Sequence, residues 1–231
     1  MYRDGQPPPE EDFNQIPLLE RVKHSVSIIL FINISDPYWI YHNFKNWKAR
    51  LSAYNELIVT FQKSSSDDDP IFTPYLSNVD LLKRIVTDSN AAAQDKGLEA
   101  LTELLKQSGT SSAHLSAELA KPIVDKGFAA SRPSTKLKAI ELCLQFVEVE
   151  GLSDTIINNV IETLNAKQPK LVATCITSLK EVVTQFGFKP ISNPKPLLKS
   201  LTKIFGHSDK NVRSEVSCFE WYLLYLIYNL Y

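Results

Sequence analysis

Residues 153–187 read SDTIINNVIETLNAKQPKLVATCITSLKEVVTQFG, and this stretch decides the fold. Ile156, Ile157, Val160, Ile161 and Leu164 recur at steps of one, three and four. So do Leu171, Val172, Cys175, Leu179, Val182, Val183 and Phe186. At 3.6 residues per turn each set falls on one helical face. Ser153 is placed to cap the first helix, Pro169 marks the break before the second, and Gly187 stands where a helix is expected to stop. The stretch is a helical hairpin, and a hairpin hides its apolar faces only by stacking on neighbours.

The pattern extends in both directions. Leu81, Leu82, Ile85 and Val86 form one stripe, and Leu98, Leu101, Leu104 and Leu105 another. Leu197, Leu198, Leu201, Ile204 and Phe205 close the series. Gly109 and Gly151 follow apolar helical stretches as Gly187 does, and Ser64 to Pro70 reads as a solvated loop. Alternating β-branched strand patterns are absent. Breaks between paired helices fall near Trp47, Ser89-Asn90, Pro133-Ser134, Pro169 and Lys210-Asn211, so they are 43, 44, 35 and 41 residues apart. A hairpin unit recurring at about 40 residues marks an all-α HEAT-type solenoid of about five hairpins. The loops within the hairpins then line up along one edge.

Composition limits what such a scaffold does. Hydrophobic residues make up 44% of the 231, enough to fill a core. The formal charge is −1, so no global attraction to nucleic acid or to an anionic membrane follows. The seven glycines contain no G-x-G, which removes the dinucleotide and phosphate-loop fingerprints. Cys143, Cys175 and Cys218 are widely spaced and form no C-x-x-C. Cys143 and Cys175 lie in apolar helical patterns and read as inert core thiols. The four histidines are scattered, so no metal or cofactor is expected, and no nucleophile setting points to an enzyme. The acidic, Pro-rich first residues are no signal peptide. The C-terminal apolar run is shorter than the ~20 residues a membrane span needs.

The loop windows carry the distinctive residues. They hold Lys48, Arg50, Arg132, Lys136, Lys167, Lys170, Lys210 and Arg213 against Asp88 and Asp209, eight cations to two anions. In a chain of net −1 this is a local basic edge. With Trp47 at its tip it suits an acidic protein surface. Asp88 and Asp209 read as helix N-caps. The cations Lys210 and Arg213 oppose the dipole at a helix start, which favours a functional reason for them. The alternative reading is a generic HEAT scaffold or adaptor that binds through its concave helical face. The placement of the distinctive residues in loops argues against it.

At these residues the chain resembles a known family. Trp47-Lys48-Ala49-Arg50-Leu51, Thr87-Asp88-Ser89-Asn90, Ser131-Arg132-Pro133-Ser134-Thr135-Lys136, Lys167-Gln168-Pro169-Lys170-Leu171 and Gly206-His207-Ser208-Asp209-Lys210-Asn211-Val212-Arg213 look like the loops of the first TOG domain of the microtubule-polymerase family. Pro17-Leu18-Leu19-Glu20-Arg21 resembles its opening helix. The resemblance implies a domain over 16–215 that grips the αβ-tubulin heterodimer, with localisation to cytoplasm, microtubules, spindle and spindle pole, and a place at growing plus ends. By the same resemblance Trp47 anchors on β-tubulin, Lys210 and Arg213 face α-tubulin, and Ser89, Asn90, Arg132 and Lys136 make polar contacts between them. Lys48, Lys167 and Lys170 complete the expected tubulin-binding set. Residues 1–15 read as a disordered leader. Residues 25–44 read as an insertion, and 216–231 as a divergent, helical tail that leaves the last hairpin incomplete. These two segments hold eleven of the 23 aromatics, and each carries Val-Ser at its start (Val26-Ser27 and Val216-Ser217), which reads as retained intron sequence. The chain itself carries no homo-oligomer motif.

Overall fold

The structure, a computed structural model, describes residues 47–151 and 154–230. The expected opening helix at Pro17–Arg21, the leader, the insertion 25–44 and the cap Ser153 lie outside the described residues. Helices follow one another as α1 (Trp47–Gln62), α2 (Thr73–Leu76), α3 (Val79–Val86), α4 (Ala91–Ser108), α5 (Ser116–Pro122), α6 (Pro133–Val149), α7 (Thr155–Thr163), α8 (Pro169–Phe186), α9 (Pro194–Ile204) and α10 (Lys210–Leu230). Short 3₁₀ turns precede α2 and α5, and one π-helical turn, Ile123–Phe128, prolongs α5. Among the described residues there is no strand.

Local chemistry sets these bounds. Asn78 and Asn193 cap α3 and α9 by accepting from the backbone N–H of Leu81 and of Lys195. Pro133, Pro169 and Pro194 each open a helix, where the missing N–H costs nothing. α4 and α8 stop at Gly109 and Gly187, whose φ of +51° and +66° suits glycine.

The helices stack in two layers. An inner row places α1, α4, α6, α8 and α10 side by side, and an outer row does the same with α3, α5, α7 and α9. The inner helices start at 47, 91, 133, 169 and 210, close to the breaks read from the sequence. One continuous core runs between the rows and contains most apolar residues of the stripes, with Cys143 and Cys175 fully buried. Burial pushes the Cys143 thiol up to about 12 and raises that of Cys175 as well. Phe61, tilted against Phe72 with ring centroids 5.9 Å apart and edge-on to Tyr75 at 5.1 Å, joins the end of α1 to the turns before α3.

One expectation changes in the last hairpin. Leu198 and Phe205 remain 55% and 38% exposed. A solenoid helix buries its stripe against both neighbours, and α9 has one described neighbour in its row. Beyond Glu215, α10 continues as one helix to Leu230. Val212, Val216 and Phe219 keep the three-and-four spacing and are buried in the core, whereas Trp221 is 74% exposed. No helix among the described residues is long and apolar enough to cross a membrane.

Candidate functional site

Polar contacts between inner helices fix how their ends align. Arg50, in the first turn of α1, forks onto Asp88 just ahead of α4, with Nε–Oδ2 at 2.7 Å and Nη2–Oδ1 at 2.8 Å. Ser134, in the first turn of α6, donates to Asp95 in the second turn of α4 at 2.7 Å, and Thr135 donates to the other oxygen of the same carboxylate. Ser178 on α8 reaches Cys143 Sγ on α6 at 3.7 Å, and Thr177 on α8 reaches Glu215 on α10 at 3.3 Å. Each pair lies 35–40 residues apart, one repeat along the chain. The first two contacts set the N-termini of α1, α4 and α6 side by side, and the short connections through the outer helices return the chain so that α8 and α10 start on the same side. The first turn of α1 and the loops that feed α4, α6, α8 and α10 form one rim.

Along this rim, Trp47 is half-buried at the first position of α1, and Lys48 beside it is exposed. Ser89, Arg132, Lys167, Lys170, Lys210 and Arg213 are exposed, and Lys136 is half-buried. Arg213 Nη1 donates to the carbonyl oxygens of His207 at 2.6 Å and Ser208 at 2.9 Å, and so closes its own loop. That contact compensates for a cation near a helix start. Asp209 accepts from the N–H groups of Asn211 and Val212, the cap expected of it. His207 Nδ1 accepts from the Asp209 N–H at 3.0 Å and fixes the same turn.

Two expected roles change. Arg50 is 7% exposed, so it leaves the solvent-facing cations of the rim. Its charge is held by Asp88: burial alone would lower the guanidinium pKa, and the hydrogen bond and attraction of the carboxylate override it. Asp88 is not the cap of α4. Asn90 is, accepting from Ala92 N–H at 3.0 Å and Ala93 N–H at 3.1 Å. Asp88 instead takes the Arg50 fork, the Tyr54 hydroxyl at 3.1 Å and the Asn90 N–H at 2.9 Å. Burial, and after it the neighbouring carboxylate, pushes the Tyr54 hydroxyl far above its ordinary value. Tyr54 and Asp95 escaped the sequence reading, because their partners lie one repeat away and no local pattern marks them.

The rim is thus a row of cations with one tryptophan at its end and exposed serines between. It suits contact with a large acidic surface. A family model described as XMAP215/Dis1/CLASP, TOG domain, matches residues 42–225. Over 209 residues the chain is 32% identical to the spindle pole body component alp14 of Schizosaccharomyces pombe, covering 90% of this chain and 23% of that protein. It is 33% identical over 171 residues to the protein mini spindles of Drosophila melanogaster, covering 74% of this chain and 8% of that one. It also resembles a solved structure described as the structural basis of tubulin recruitment and assembly by microtubule polymerases with TOG domain arrays. The TM-score is 0.68 at 32% identity, over 77% of this chain and 38% of the other. The chain spans less than a quarter of the length of either curated relative.

Proposed function

The chain belongs to the XMAP215/Dis1/CLASP TOG-domain family, and from that membership we propose that its rim captures αβ-tubulin heterodimers. The module works as part of a microtubule plus-end polymerase that regulates microtubule growth and spindle organisation. It is a binding module and not a catalyst. Trp47 and Lys48 contact β-tubulin, Lys210 and Arg213 contact α-tubulin, and Ser89, Asn90, Arg132, Lys136, Lys167 and Lys170 lie along the line between them. The observation that carries the reading is the alignment of five helix N-termini on one edge. That alignment turns residues scattered from 47 to 213 into a single surface. Cations on such a surface steer an acidic partner and set its register, and a buried aromatic at the contact supplies affinity.

Size-exclusion co-elution and direct titration with αβ-tubulin test this. The expected result is a one-to-one complex that Trp47→Ala combined with Arg213→Ala weakens by about 30-fold or more, the effect of losing at least one hot spot. A version lacking residues 25–44 tests whether that segment obstructs the first loop. Binding of the double variant as tight as that of the native chain overturns the reading. So does absence of any complex for both the native chain and the shortened version.

A further inference from the structure

Behind the rim, a set of polar contacts joins its first three loops, and of its members only Asn90 and Arg132 also belong to the contact surface proposed above. Asp88 accepts four hydrogen bonds: from Arg50 Nε at 2.7 Å, Arg50 Nη2 at 2.8 Å, the Tyr54 hydroxyl at 3.1 Å and the Asn90 N–H at 2.9 Å. Asn90 passes the constraint into α4 by capping Ala92 and Ala93. One turn on, Gln94 Nε2 donates to the Val86 carbonyl at 2.8 Å and ties α4 to the end of α3. Asp95, next to Gln94, accepts from Ser134 and Thr135 at the start of α6, with Arg132 Nη2 3.8 Å away. The contacts tie α1 to the start of α4 and α4 to the start of α6, and the first turns of α4 join the two junctions. Between α6 and α8 the corresponding contact is Ser178 with Cys143 Sγ, and between α8 and α10 it is Thr177 with Glu215. Neither carries the charge-to-charge attraction of the first two junctions.

We infer that this relay makes the first three loops one rigid unit, with Arg50 and Asp88 as positioning residues that hold Trp47 in register with Ser89. The side chains of Arg50 and Asp88 are 8% and 3% exposed, so neither reaches a docked partner. A buried ion pair adds little net stability over apolar packing of the same volume. What the bidentate fork supplies is a fixed distance and orientation between two elements. Sited directly behind the tryptophan loop, it sets how far that indole stands from the second and third loops. For its consequence the inference rests on the tubulin-binding reading. The relay itself is measurable without tubulin.

Hydrogen exchange read by mass spectrometry on the full chain, together with tubulin titration, tests it. Arg50→Lys keeps the charge and loses the fork, and Asp88→Asn keeps the shape and loses the charge. Both should speed exchange by about tenfold at 90–93 and again at 134–136, while amides of α8 near Cys175–Val183 keep their native rates. Tubulin affinity of Asp88→Asn should fall by about tenfold, and that loss should largely vanish in a Trp47→Ala background while adding fully to Lys170→Ala. A purely stabilising pair would add equally to both, and that result overturns the inference. So does faster exchange confined to α1, or spread through α8. If either variant loses its helical signal, Tyr54→Phe, which removes one hydroxyl contact, replaces it with the same pattern expected at smaller amplitude. If the native chain binds no tubulin, the function reading fails and the exchange pattern alone decides the relay.

Discussion

Asn90 illustrates how one side chain serves two levels of the structure. It lies in the rim, where the family resemblance places a partner contact, yet its side-chain oxygen is committed to the first N–H groups of α4. Those groups have no partner within the helix, and an Asn, Asp or Ser cap meets the need. Asn90→Ala should therefore lower thermal stability by about 1 kcal/mol, and Asn90→Asp should restore most of it. Unfolding monitored by circular dichroism checks this. An alanine variant that melts like the native chain while losing tubulin affinity would assign Asn90 to the partner and not to the helix. Arg213 presents the same duality, since its guanidinium closes the loop that it would also present to tubulin. The two roles separate only when loop structure and binding are measured on the same variant.

Between elements, the closeness of the two rows depends on small residues. Gly127, in the π-helical turn after α5, faces α6 so closely that an added Cβ would stand 2.5 Å from the Ala139 Cβ. That atom is fixed to its own helix backbone and cannot swing aside. Alanine at 127 gains helix propensity, worth less than about 1 kcal/mol. It must also push α5 and α6 apart in a close-packed core, which costs about 1–3 kcal/mol. Gly127→Ala is expected to be net destabilising, and a denaturant midpoint equal to or above the native value would refute the close packing. The hairpins themselves were legible beforehand, because three-and-four spacing, prolines at helix starts and glycines at helix ends are local signals. The closeness of α5 to α6 was not, since a glycine within an apolar stretch looks the same whether or not a neighbour presses on it.

For the molecule as a whole, each hairpin touches only its neighbours, so a defect should remain near where it is made. Phe219, fully buried on α10, is a direct test, because it lies beyond Glu215 in the last helix of the stack. Phe219→Ala should cost about 3–5 kcal/mol in the last hairpin. Hydrogen exchange should quicken in α9 and α10 while α4 and α6 retain native protection. Uniform loss across all helices would mean that the stack unfolds as one unit. The sequence by itself determined the apolar stripes of the helices, their pairing and the repeat spacing. All of these follow from patterns within a few turns of chain, and the loop residues resembled a known family without reference to any contact. Only the tertiary structure decided that Arg50 and Asp88 turn inward, that Asp95 reaches Ser134 and Thr135, and that Leu198 stays in solvent. Each depends on which face of a helix meets a neighbour roughly one repeat away. Periodicity places residues on a face, but the stacking of whole hairpins selects the neighbour that face meets.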